Sequence, residues 1–136
     1  MKAYLIDSSV WIDVLTDRPG AAQDRFVELA AEPDQIVTTE PVLMELRAGA
    51  NGLRRLRIES VLNRLRLRGI DPAIDFHYAA DLYRNVRISG HTVRSMVDCL
   101  IASVAVRTEA ILVHRDRDFE RIAAVASDLR SESLLT

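Results

Sequence analysis

Cysteine is nearly absent: Cys99 stands alone in 136 residues, so no disulfide within the chain can staple the fold, and a reducing cytoplasm is the expected home. Long apolar runs are missing as well. The longest, Leu100 to Val106, is broken by Ser103 and falls far short of the roughly 20 residues that a membrane span needs. The opening residues, Lys2-Ala3-Tyr4-Leu5-Ile6-Asp7, lack the charged, apolar and small-residue regions of a secretory signal, so no membrane association is expected. There is no Gly-x-x-x-x-Gly-Lys loop and no Gly-x-Gly-x-x-Gly turn, which removes the usual phosphate cradles of nucleotide sites. Cys99, His77, His91 and His114 have no zinc-ligand spacing.

What remains is ordinary globular material, 49% hydrophobic and 28% charged, in a length suited to one domain over residues 1–136 with a core of its own. The net charge of −2 argues at first against a polyanionic partner. The charges are segregated, however. From Arg47 to Arg68 there are seven arginines (Arg47, Arg54, Arg55, Arg57, Arg64, Arg66, Arg68) against one acid, Glu59, so this segment carries +6 and the rest −8. Arginine's planar fork suits bidentate phosphate contacts, and a solvated helix face would account for the same run.

Apolar periodicity organises the chain as alternating strands and helices. A strand from Lys2 to Ile6 runs into Asp7 and a helix beginning near Ser9, and a second helix spans Ala21 to Ala31. Ile36 to Thr38 reads as the second strand, followed by a Pro41-initiated helix that carries Glu45 and closes near Gly49. A basic amphipathic helix is predicted over Leu53 to Leu67, with Leu53, Leu56, Val61, Leu62 and Leu65 facing the core. A third strand is predicted at Ile70 to Ile74, then helices over Phe76–Arg87 and Val93–Val106, the latter apolar nearly all round with Asp98 in its middle. Ile111 to Val113 forms the fourth strand, a short helix reaches Ala124, and a last strand lies near Leu134. Such alternation implies an α/β fold of three layers, α/β/α, with a short, mostly parallel central sheet whose ligands sit beyond the strand C-termini.

The acids stand out on this frame. Asp7 and Asp116 each follow an apolar strand and therefore project from the same sheet edge. Glu45 lies in Val42-Leu43-Met44-Glu45-Leu46, and Asp98 in Met96-Val97-Asp98-Cys99-Leu100-Ile101, each out of place as a solvated residue. Carboxylates sharing a cleft repel one another unless a cation neutralises them, and hard oxygen donors suit Mg²⁺ or Mn²⁺, the ions used for phosphodiester hydrolysis. Bland roles compete residue by residue. Asp7, Asp116 or Asp118 can cap a helix, Glu45 can pair with Arg47 or a distant arginine, and Asp98 can pair with Arg94 one turn earlier. Asp13 and Asp17 read as solvated, and Trp11 as packing. Phosphotransfer through a strand-end aspartate is disfavoured. It needs a lysine across the site, Lys2 is at the wrong end of its strand, and Ser9 stands where haloacid-dehalogenase-type phosphatases carry a second aspartate.

Four segments, Leu5-Ile6-Asp7-Ser8-Ser9-Val10-Trp11-Ile12-Asp13, Met44-Glu45-Leu46-Arg47-Ala48-Gly49, Val97-Asp98-Cys99-Leu100-Ile101-Ala102 and His114-Arg115-Asp116-Arg117-Asp118-Phe119, together resemble the PIN-domain ribonucleases, and most of all VapC-type toxins of toxin–antitoxin pairs. The resemblance spans nearly the whole chain. It implies a PIN-like fold and a Mg²⁺- or Mn²⁺-dependent endoribonuclease that inhibits translation and growth. Asp7, Asp98 and Asp116 would be metal ligands, Glu45 would act directly or through water, and Asp118 would be a candidate for a second ion. Ser9 matches a small hydroxyl residue that orients the first aspartate or a water. His114 replaces a threonine or serine common in relatives and becomes a candidate phosphate contact, with Arg94 a supporting residue. The resemblance further implies a homodimer, a VapB-type antitoxin whose C-terminal segment covers the cleft, and a structured RNA, transfer or ribosomal, as substrate. It leaves open whether Arg54 to Arg68 serves RNA, antitoxin or the dimer. A DNA-directed nuclease and a non-catalytic binding module on the same scaffold are the alternatives.

Overall fold

The computed structural model describes residues 2–136; Met1 and the side chain of Leu53, one of the expected core positions, lie outside the described residues. Five strands form one sheet in the order β3-β2-β1-β4-β5, every neighbouring pair parallel. They are β1 (Tyr4–Ile6), β2 (Ile36–Thr38), β3 (Arg66–Leu67), β4 (Ile111–His114) and β5 (Arg130–Ser133). Seven helices accompany them among the described residues: α1 (Ser8–Leu15), α2 (Ala21–Ala30), α3 (Glu40–Gly49), α4 (Gly52–Leu62), α5 (Asp75–Ile88), α6 (Met96–Arg107) and α7 (Arg117–Val125).

Chain order fixes the layers. From β1 the strands first step toward β3, then jump back across the sheet to β4 and step on to β5. Crossovers are right-handed, so the two directions of travel place their helices on opposite faces. The packing agrees: α1 touches α2, α3 and α4, while α5, α6 and α7 pack on one another. The reversal lies between β1 and β4, and a doubly wound sheet opens its cleft at such a point. Asp7 ends β1 there, its amide donating to Val113 O on β4 at 2.9 Å.

The central strands are apolar because both faces are covered. Tyr4, Leu5 and Ile6 are all buried, as are Leu112 and Val113 beside them. Helix α6 buries Cys99, Ile101, Ala102, Val104 and Ala105, small and branched side chains that allow close approach to the sheet. Trp11 is fully buried edge-on to Phe26, ring centroids 5.2 Å apart, which is a packing role.

Three expectations change. The third strand is Arg66–Leu67, not Ile70–Ile74, and the basic helix therefore ends at Leu62. Pro72 lies within a turn in which Asp71 Oδ1 accepts from the Ala73 amide at 3.0 Å and Asp75 Oδ2 from the Asp71 amide at 2.8 Å. That local bonding takes the backbone groups a strand would need. On α4 Ile58 and Leu62, one turn apart, are buried in the core, and Val61, like Leu65 just beyond the helix, packs against it partly buried as expected, whereas Leu56 is exposed. Finally, α6 starts at Met96, capped by Ser95, whose hydroxyl accepts from the Val97 amide at 3.1 Å. Asp98 is thereby in the first turn, not the middle.

Candidate metal centre at the sheet switch point

Three helices begin at this cleft, and each brings an acid with it. Asp7 caps α1, accepting from the Ser9 amide at 3.0 Å; Asp116 caps α7, accepting from the Asp118 amide at 2.9 Å; and Asp98 sits in the first turn of α6. Helix N-termini present partial positive charge and unpaired N–H groups, which explains why acids are tolerated here. Glu45 comes from the body of α3 and is oriented differently: Ser8 donates its hydroxyl to Glu45 Oε1 at 3.1 Å.

The structure brings the expected acids together as two overlapping triads. Asp7, Glu45 and Asp98 each offer an oxygen within 4.8 Å of the others, and so do Asp98, Asp116 and Asp118. Asp98 is common to both. The halves differ in their cations. Arg94 binds the second, its Nη2 lying 3.0 and 3.2 Å from the two Asp116 oxygens and its Nε 3.0 Å from Asp118 Oδ2. In the first triad no arginine or lysine pairs with Asp7, Glu45 or Asp98 among the described residues, and Asp7 Oδ1 is buried without a hydrogen-bond partner.

Titration behaviour follows from this arrangement. Burial, and then the negative charges of Asp7, Asp116, Glu45 and Asp118, push the Asp98 carboxyl up to about 8. The same two causes, burial first, hold Asp7 and Glu45 above the ordinary carboxylate range, although hydrogen bonds from Ser9 and Ser8 oppose the rise. A largely buried donor set made only of oxygens, with an orphaned lone pair on Asp7, fits a hard divalent cation. Cys99, although next to Asp98 in the chain, belongs to neither triad, and burial pushes its thiol up to about 12.

A model of the PIN domain family matches residues 4–125. The Mycobacterium tuberculosis protein named ribonuclease VapC11 is 40% identical over 126 residues, covering 90% of this chain and 93% of that protein. The chain belongs to the PIN-domain family, among the VapC ribonucleases. A VapC ribonuclease of Mycobacterium bovis matches to the same extent, 40% identical over 90% of this chain and 93% of its own. Of solved structures, VapBC-5 from Mycobacterium tuberculosis superposes with a TM-score of 0.64 at 26% identity over all of both chains. A DNA-bound VapBC from Salmonella typhimurium shares the fold, with a TM-score of 0.76 at 22% identity over 98% of this chain and 99% of that one.

Within this PIN domain some expected partners are exchanged. Arg94 precedes α6 and reaches across to Asp116 and Asp118, so it does not pair with Asp98. Arg47 pairs with Glu59, leaving Glu45 to Ser8. His114 is no phosphate contact. It is buried at 1% exposure, lies against Phe119, and its Nδ1 accepts from the Asp116 amide at 3.2 Å, holding the loop that carries the acid. Burial lowers the pKa of its imidazole, against the raising effects of Glu120 and Asp116. Ser9 contributes its amide to Asp7, while its hydroxyl accepts from the Arg115 amide at 3.0 Å and ties α1 to the same loop.

Sequence reasoning missed Ser8, because a serine beside a capping aspartate reads as helix-start chemistry. It also misread Asp13. That residue is buried and pairs with Arg115 at 3.0 Å and Arg18 at 3.6 Å, partners too remote or too flexible to foresee. Of the basic segment, Arg57 pairs with Asp17 and Arg68 donates to Thr108 O, while Arg54, Arg55, Arg64 and Arg66 make no ion pair among the described residues. No helix among those residues is long and apolar enough to cross a membrane.

Proposed function

We propose that this chain is the toxin of a toxin–antitoxin pair and works as a divalent-metal-dependent endoribonuclease, taking Mg²⁺ or Mn²⁺ and cutting a structured RNA of the transfer or ribosomal class. Inhibition of translation and growth follows from that chemistry. The observation that carries the reading is the triad of buried Asp7, half-buried Glu45 and buried Asp98, with no protein cation paired to it and an orphaned Asp7 oxygen at a sheet switch point. Asp7 and Asp98 would hold the ion and Asp116 would complete the set, since its carboxylate keeps lone pairs beyond those that Arg94 and the Asp118 amide use. When bound, the ion supplies neutralisation of the carboxylates, acidity to a water and charge stabilisation at phosphorus.

The chain's own residues divide the remaining work. Glu45 Oε1 is held by Ser8, which leaves Oε2 to take the proton of the attacking water, directly or through a second water. His114 and Ser9 hold the loop bearing Asp116 in register with β1. The N-termini of α1, α6 and α7 favour an approaching phosphate. The exposed arginines Arg54, Arg55, Arg64 and Arg66 offer a surface to RNA, to a VapB-type antitoxin or to a second copy in a homodimer. We place the protein in the cytoplasm, where such an RNA and antitoxin would meet it, as one domain over 1–136.

The test is a digest of matched RNA and DNA oligonucleotides with added Mg²⁺. The wild-type chain is expected to cut RNA, lose cleavage in chelator, and lose it in a folded Asp7→Ala variant. Cleavage that persists in Asp7→Ala, once contaminating nuclease is excluded, contradicts the site. Preferential cutting of DNA replaces the substrate, and an inert wild-type chain leaves a binding module.

A further inference from the structure

The second triad, Asp98, Asp116 and Asp118, has the oxygen clustering that would suit another ion. Its surroundings are unlike those of the first. Asp118 is buried, and its Oδ2 receives both the backbone N–H and the Nε of Arg94, each at 3.0 Å. The opposite oxygen, Oδ1, faces Arg121 Nη1 at 3.7 Å. The Arg94 guanidinium spans from there to both oxygens of Asp116. Arg94 is thus anchored twice, by main chain and by side chain, just before the Ser95 cap of α6. Its charge lies between the two carboxylates that a second cation would have to bridge.

We propose that Arg94 is a built-in second cation, which keeps a second divalent ion out of the Asp116–Asp118 half so that the chain takes one ion and not two. The inference rests on the metal-dependent reading above. Two charges in one place compete. A divalent ion entering between Asp116 and Asp118 must displace the guanidinium and then meet the charge of Arg121. At the Asp7–Asp98 half no protein cation stands in the way, and the orphaned Asp7 oxygen is available. Asp118 in this account is a positioning residue that holds Arg94 and is not itself a metal ligand.

The test is Mn²⁺ titration of the full, metal-free chain, read by calorimetry and by electron paramagnetic resonance of the bound ion. Wild type is expected to bind one Mn²⁺ with no spin coupling. Arg94→Gln, which removes the charge and keeps the backbone N–H, is expected to bind two, with a coupled Mn²⁺ pair. Arg94→Ala repeats the measurement should the glutamine itself bond to Asp116, and circular dichroism confirms that each variant is folded. Two ions in wild type, or a single ion in both folded variants, overturn the proposal while leaving a metal centre in place. No Mn²⁺ binding to wild type overturns the metal-dependent reading as well.

Discussion

Asp75 and Asp98 are both buried aspartates at the beginning of a helix, and the fold treats them in opposite ways. Asp75 opens α5 and is wholly enclosed. Arg107 from the far end of α6 contacts both its oxygens with donor distances of 2.9 to 3.2 Å, and Ser103 donates to it at 2.7 Å. Burial alone would raise the Asp75 carboxyl, but Arg107, the Asp71 amide and Ser103 outweigh it and hold the group below the ordinary range. Asp98 has no such partner, and its carboxyl is held near 8. The buried acid at α5 receives its counter-charge from the chain, and the one at α6, at the sheet switch point, does not.

The largest effect is expected from removing the partner of Asp75. Arg107→Ala strands a buried carboxylate and also loses the bond from Arg107 Nη2 to Gly69 O; breaking a buried pair on one side costs about 3–5 kcal/mol. Urea denaturation should show a loss of that order, with Mn²⁺ binding by the folded fraction unchanged. Substitution on the other side should act in the opposite sense. Asp98→Asn in the metal-free chain at pH 8 is expected to raise the thermal midpoint, because it removes a carboxylate that folding makes harder to ionise, and to abolish any rise in midpoint on adding Mn²⁺. An asparagine variant that is destabilised at pH 8 without metal would mean that Asp98 is compensated after all.

The pH dependence follows from the same shift. Asp98 holds its proton in the folded state up to about 8 but loses it near 3.8 when unfolded. Between those values the folded state binds more protons, so metal-free stability should fall as pH rises from about 4 to about 8 through this group. Asp7 and Glu45, raised in the same direction, steepen that fall. The smallest effect expected is from Ser8→Ala, which removes one hydrogen bond to Glu45. A bond worth ~1 kcal/mol corresponds to about a fivefold loss in the rate of RNA cleavage, with the midpoint of unfolding little changed.

Much of this was legible in the residues. Leu5-Ile6 runs straight into Asp7, and Leu112-Val113 is followed three residues on by Asp116, so a parallel sheet puts both acids at the same edge. Asp98 was visible because α6 has no polar face. The edge strand was not legible: Arg66 and Leu67 are both exposed, so their pairing with Val37 and Thr38 leaves no hydrophobic alternation to read. Nor was the role of Arg94. Helical spacing offered it Asp98 as a neighbour, and only the start of α6 at Met96, with the α7 loop folded against it, shows that it belongs to Asp116 and Asp118. Contacts between segments 22 and 24 residues apart are set by packing, not by local periodicity.

Asp98 is the hinge of the proposed metal site, a buried carboxylate that no cation of the chain is paired with. Its most direct test is the thermal midpoint of wild type and Asp98→Asn at pH 5 and pH 8, each with and without Mn²⁺. Wild type is expected to lose stability from pH 5 to pH 8 without metal and to recover it with Mn²⁺, while Asp98→Asn shows a shallower loss and no response to the ion. A wild-type midpoint that ignores Mn²⁺ at pH 8, or a variant that responds to it as wild type does, would contradict it.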